Sequence, residues 1–158
     1  QTGWLTAAEQ DLFMGWLGLG ATSRLLDLAC GSGGPTLRMA ARTGCAAVGV
    51  DHHAAGIAAA EAAAAERGLA PLASFRTGDA AAALPFADAT FDAITCIDAI
   101  NHLPDRPAVL AAWRQAIQGG MLLVASLAAL GLLGGAAFAT WRQVRLDVRQ
   151  FRHEALRF

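Results

Sequence analysis

The chain has 158 residues, 55% hydrophobic and 16% charged, with a formal net charge of −1. That length suits one domain with a real core. Residues 1–117 carry 7 Arg against 11 Asp and Glu, which argues against nucleic acid as the main partner, because phosphate binding needs a positive face.

In chain order, Thr6-Ala-Ala-Glu9 has the capping-box pattern before an apolar run and predicts a helix over Thr6–Leu19. Arg24–Ala29 (RLLDLA) is a short apolar run that predicts a first strand, stopping at Gly31. Pro35 stands where a helix begins, at the position that tolerates a missing N–H, and that helix is expected to run to Thr43 with Gly44 as its stop. Ala46–Val50 is a second strand and the alanine-rich Ala54–Arg67 a helix closed by Gly68. Leu72–Arg76 and Phe91–Ile97 are the third and fourth strands, separated by a turn at 86–90. Asp105 is placed to cap a helix reaching Ile117. Strands alternating with helices predict an α/β fold, a parallel sheet with helices on its faces.

The turn after the first strand reads Asp27-Leu-Ala-Cys-Gly31-Ser-Gly33-Gly34-Pro35. A glycine-rich strand-to-helix turn points to a nucleotide-like ligand at a helix N-terminus. The dinucleotide pattern GxGxxG nevertheless fails, because its third glycine falls on Thr36. Pro35 removes an N–H that a pyrophosphate would use, and the carboxylate of Asp27 repels a diphosphate. Asp51 follows 20 residues after Gly31, the spacing of an acid that accepts from ribose hydroxyls, and Asp79 after the third strand is placed for an adenine amino group. Taken singly, each acid also suits a cap or a turn. Together they predict an adenosine without phosphates and with an amino-acid tail, a description that S-adenosylmethionine fits.

The segments Leu25–Pro35 (LLDLACGSGGP), Val48-Gly-Val-Asp51, Gly78-Asp79-Ala80 and Leu84–Asp92 (LPFADATFD) together resemble the class I S-adenosylmethionine-dependent methyltransferases. The similarity is to their small-molecule branch, which includes the ubiquinone/menaquinone-biosynthesis and sarcosine-type enzymes. The resemblance implies a Rossmann-like three-layer αβα fold with a mostly parallel sheet. It implies Asp27, Gly31 and Gly33 along the methionine part of the cofactor, Asp51 and His52 at the ribose and adenine, and Asp79 and Ala80 at the adenine. The fourth strand would pass the sulfonium at Cys96 and face the methyl acceptor beyond it. Methyl transfer is an in-line displacement, which asks mainly for alignment and exclusion of water. His102 is the candidate base or acceptor-orienting group, with capping of the next helix as its alternative role. Asp98 is the candidate for orienting the acceptor or holding the cofactor's amino end, and Asn101 is a weaker one. Trp4 and the first helix are expected to cover the cofactor, or simply to pack.

From Gln115 to Trp141 there is no charge, a length that a bilayer span also satisfies at about 20 residues. The family resemblance makes Met121–Ser126 a buried fifth strand and Leu127–Thr140 a helix. Positive-inside logic adds a conflict for the span, since the arginines after Trp141 would place the glycine-loop domain away from its cofactor. Trp141, Val144, Val148, Phe151, Ala155 and Phe158 then share one helical face.

The expected organisation is therefore a cofactor-binding domain at 1–126 and a helical tail at 127–158, with helix where the family has its last strands. Cys30, Cys45 and Cys96 show no metal-ligand spacing, so no metal site is expected, and they suit a reducing compartment. Without a signal-peptide pattern the expected location is cytoplasmic, the alternative being membrane-associated. The expected activity is methyl transfer to a small molecule, with a shortened tail that impairs turnover. The alternative is a non-catalytic remnant held to a membrane or partner through 119–158. A homodimer through the fifth-strand edge or the terminal helix is a further expectation.

Overall fold

The computed structural model describes residues 7–125. Five strands, β1 (Arg24–Leu28), β2 (Ala46–Asp51), β3 (Ala73–Thr77), β4 (Phe91–Ile97) and β5 (Ile117–Ala125), form one sheet in the order β3-β2-β1-β4-β5. Every neighbouring pair is parallel. The helices are α1 (Ala7–Leu17), α2 (Gly34–Thr43), α3 (Ala54–Glu66) and α4 (Arg106–Gln115), with a 3₁₀ turn at Ile100–His102.

β1 lies at the centre and buries leucines on both faces, as a strand covered by helices on two sides does. Leu25 points into one core with Phe13, Leu37, Ile57 and Phe75, which α1, α2 and α3 cover. Leu26 and Leu28 point into the other, with Ile94, Val109 and Trp113 beneath α4. The three-layer αβα expectation is therefore met. Strand order reverses between β1 and β4, and in open parallel sheets ligands bind outside the strand ends at such a reversal.

Element ends differ from the sequence reading for local reasons. Gly18 at φ 63 closes α1 before Leu19, and Ala29 at φ 56 takes the chain out of β1 after Leu28. Gly44 ends α2 as expected, its N–H donating to the Ala40 carbonyl at φ 73. Asp105 caps α4 as expected, accepting from the Ala108 N–H at 3.4 Å. The larger difference is β5, which begins at Ile117 and not at Met121. Phe91 pairs with Ile117 but Ala93 pairs with Met121, so β5 carries two more residues than β4 across this shift. Gly119 and Gly120 lie within it, where residues without side chains suit an irregular ladder.

The start of the long uncharged run is thus sheet. Among the described residues no helix is long and apolar enough to cross a membrane. Trp4, the 127–158 tail, its helix and the dimer contact expected through it lie outside the described residues.

Candidate functional site

The site is built at the C-terminal ends of β1, β2 and β4. The loop after β1 is tied down by backbone bonds: Cys30 N–H donates to the Val50 carbonyl at 3.1 Å, and Gly33 N–H to the Cys30 carbonyl at 3.0 Å. Asp51, at the end of β2, is the main anchor. One of its oxygens accepts from the Gly31 N–H at 2.8 Å and the other from the His53 N–H at 2.8 Å. With 7% exposure it is nearly enclosed by the loop it holds. Its role is not that of a helix cap; His53 caps α3, Nδ1 accepting from the Gly56 N–H at 3.2 Å.

Gly33 needs its missing side chain. It sits at φ 73 immediately before α2, and a Cβ there would lie 2.7 Å from the Phe75 ring and 2.8 Å from Ala60. Gly31 has φ 56 and nothing within 4 Å of a Cβ, so it opens onto space.

Asp27 is buried at the end of β1, where it accepts hydrogen bonds from the hydroxyls of Thr36 on α2 and Thr95 on β4, the latter at 2.7 Å. Its carboxyl is raised from 3.8 to about 6: burial is the largest influence, the two hydroxyls pull it down and the nearby Asp51 pushes it up. A raised carboxyl favours the folded state while protonated. The contribution is fully present below about pH 4 and is lost as pH rises through about 6, amounting to roughly 3 kcal/mol. The stability of the native chain relative to Asp27→Asn should therefore fall between these pH values and stay level above them. Urea unfolding at a series of pH values checks this, and a level difference throughout contradicts it.

A cavity of about 970 Å³ opens over this loop, with Asp27, Gly31, Ser32, His53, Arg38 and Asp98 in its wall. α1 borders it through Ala7 and Gln10. Arg38 is bound to Asp11 of α1 at 2.7 Å. Asp98 has φ 60, a conformation rare outside glycine, which turns the chain away after β4.

The sequence-predicted residues separate into groups. Asp27, Gly31 and Asp98 share the cavity. Asp51 and Gly33 lie behind the loop and shape it. Gly78 N–H donates to the Asp51 carbonyl at 2.9 Å, which brings the Asp79 turn beside β2. Asp79 is exposed with one oxygen accepting from the Ala81 N–H at 2.8 Å, and buried Ala80 accepts from the Trp113 indole at 2.8 Å. His52 is exposed, its Nδ1 3.6 Å from Asp51. His102 and Asn101 are exposed on the 3₁₀ turn and are not in the cavity wall.

The Cys96 side chain is fully buried among Leu26, Ile94 and Trp113, on the sheet face opposite Asp27, because side chains alternate along a strand. Its neighbour Thr95 is the one that meets Asp27. Burial raises the Cys96 and Cys30 thiols, so both are neutral. Sequence reasoning also missed His53, Ser32, Thr36 and Thr95. Thr36 was legible only as the residue that breaks the dinucleotide pattern.

The donor set decides what the cavity accepts. Asp27 and Asp98 line the cavity beside the loop, Pro35 offers no N–H, and of the two arginines in the wall Arg38 is paired with Asp11 while Arg67 stands exposed at the end of α3. The two carboxylates beside the glycine loop suit a cationic or hydroxyl-bearing ligand there. Residues 25–120, more than half of the chain, match a family model described as a methyltransferase domain. The chain belongs to this methyltransferase-domain family. The domain is 32% identical over 124 residues to methyltransferase GfsG of Streptomyces halstedii, covering 78% of this chain and 44% of that protein. It is 33% identical over 101 residues to the 27-O-demethylrifamycin SV methyltransferase of Amycolatopsis mediterranei, covering 64% and 37% respectively. The chain thus spans less than half the length of these curated relatives. Among solved structures, the chain is similar to the [4+2]-cyclase SpnF, at 30% identity and a TM-score of 0.71 over 78% of this chain and 46% of that one. An S-adenosylmethionine-dependent methyltransferase from Thiobacillus denitrificans, in complex with S-adenosyl-L-homocysteine, follows at 26% identity and a TM-score of 0.68 over 76% and 48%.

Proposed function

We propose that this chain is the cofactor-binding part of an S-adenosylmethionine-dependent methyltransferase that acts on a small molecule. The observation that carries the reading is the glycine loop, held by Asp51 and opening on a cavity that has the carboxylates of Asp27 and Asp98 in its wall. The family match and the small-molecule methyltransferases among its relatives support it.

In this reading Asp27 faces the ammonium of the methionine tail, and Asp98 either joins it there or orients the acceptor. Each Asp51 oxygen has one backbone N–H bond and retains a lone pair for a ribose hydroxyl. Asp79 keeps one oxygen for the adenine amino group, on a turn that Trp113 fixes through Ala80. When bound, the cofactor supplies an electrophilic methyl group. The chain's part is to hold the donor still, align the acceptor and shed water. His102 takes the acceptor's proton in this reading, and its exposed place on the 3₁₀ turn requires the acceptor to bind across the mouth of the cavity.

Isothermal calorimetry with S-adenosylhomocysteine tests the proposal. Saturable binding is expected. Silence at millimolar ligand, with the fold intact by circular dichroism, overturns it.

A further inference from the structure

The environment of Asp27 holds more than a contact to a ligand. Its two oxygens are taken separately, one by the Thr36 hydroxyl and the other by the Thr95 hydroxyl at 2.7 Å. Both threonines are fully buried, neither is in the cavity wall, and they reach Asp27 from different elements, α2 and β4. A hydroxyl has one proton to give. Each of these two is spent on Asp27, a use that favours the charged carboxylate over the neutral acid. A hydrophobic side chain of the same shape would fill either position equally well, so packing alone does not call for a hydroxyl.

We propose that Thr36 and Thr95 are positioning residues that fix Asp27 in the cavity wall and keep it an anion there, so that the cleft accepts a cationic amino group at neutral pH. The ligand half of this statement rests on the proposed function; the state of Asp27 does not.

The charged surroundings do not supply that ionisation. Asp51 on β2 opposes it, as does burial. Cys30 in the loop and Cys96 on β4 are neutral thiols. Asp98 after β4 adds a second acid to the cavity wall, Arg38 on α2 is bound to Asp11, and Arg67 at the end of α3 is exposed and is not among the groups that act on Asp27. His53 at the start of α3 lends its Nδ1 to the Gly56 N–H. Among the interactions of the described residues that act on Asp27, only the two hydroxyls pull its carboxyl down.

The test follows the Asp27 side-chain carboxyl by carbon-13 NMR across a pH titration of the ligand-free full chain, in the native protein and in Thr95→Val, Thr36→Val and Thr95→Ser. The valine variants should move the Asp27 midpoint upward by about one pH unit or more, and the serine variant should restore it. Calorimetry with S-adenosylhomocysteine at about pH 5–6 should show roughly five- to tenfold weaker binding in the valine variants, recovering by about pH 8. Should one valine variant fail to fold, the other and the serine variant still decide the matter. A midpoint that stays put or falls when a hydroxyl is removed overturns the proposal. A midpoint that rises in a chain that never binds S-adenosylhomocysteine upholds the role of the threonines and overturns the proposed function instead.

Discussion

Gly33→Ala should be the most damaging small substitution in the site, lowering the unfolding free energy by roughly 2–5 kcal/mol, out of about 5–15 for a typical domain. Two costs combine. The position has φ 73, where an L side chain is strained by about 1–2 kcal/mol. The new Cβ would also press within 2.7 Å of the Phe75 ring and 2.8 Å of Ala60. Phe75 has nowhere to retreat, because the same ring already fills the space over Gly49, where a Cβ would sit 2.4 Å away. Overpacking of that kind costs about 1–3 kcal/mol. Gly31→Ala is the control. Its φ is 56 but no atom lies within 4 Å of the added carbon, so only the backbone cost of about 1–2 kcal/mol applies. Urea denaturation of both variants gives the comparison, and equal losses would show that the Phe75 contact does not set the loop.

Asp51→Ala is expected to weaken S-adenosylhomocysteine by roughly 10- to 100-fold and to destabilise the chain as well. The substitution removes the acceptor of two backbone N–H groups, Gly31 and His53, at a position only 7% exposed. Each donor left without a partner costs about 1–3 kcal/mol. Asp51→Asn separates the two effects, since it keeps one acceptor oxygen while removing the charge. Because the Asp51 charge raises the Asp27 carboxyl, Asp51→Asn should also lower the Asp27 midpoint below about 6. Calorimetry and unfolding of the pair of variants check this; unchanged affinity in both would remove Asp51 from the ribose.

The fold was legible where a residue's chemistry acts locally. Leu25, Leu26 and Leu28 announce a strand covered on both sides, and Gly44 and Asp105 mark helix ends by backbone conformation and capping. Gly31, Asp51 and Asp79 follow strand ends at spacings that a parallel sheet brings close together. Contacts that depend on register or strand face were not legible. Thr95 meets Asp27 because β4 pairs with β1 at that residue, a partnership 68 positions apart in the chain. Cys96 stands next to Thr95 on the same strand, and alternation turns its side chain to the α4 side. The start of β5 was hidden because Gln118, Gly119 and Gly120 interrupt the apolar pattern, and only the pairing with Phe91 recovers it.

A pair of ligands that differ only at the amino-acid end probes the nature of the cleft most directly. S-adenosylhomocysteine and 5′-methylthioadenosine share the adenosine and the thioether, but only the former carries the ammonium. At about pH 8, where Asp27 is ionised, S-adenosylhomocysteine should bind at least roughly tenfold more tightly, and that advantage should shrink as the pH falls below about 6. Equal affinities for the two, independent of pH, would contradict a cleft built around Asp27 for a cationic tail.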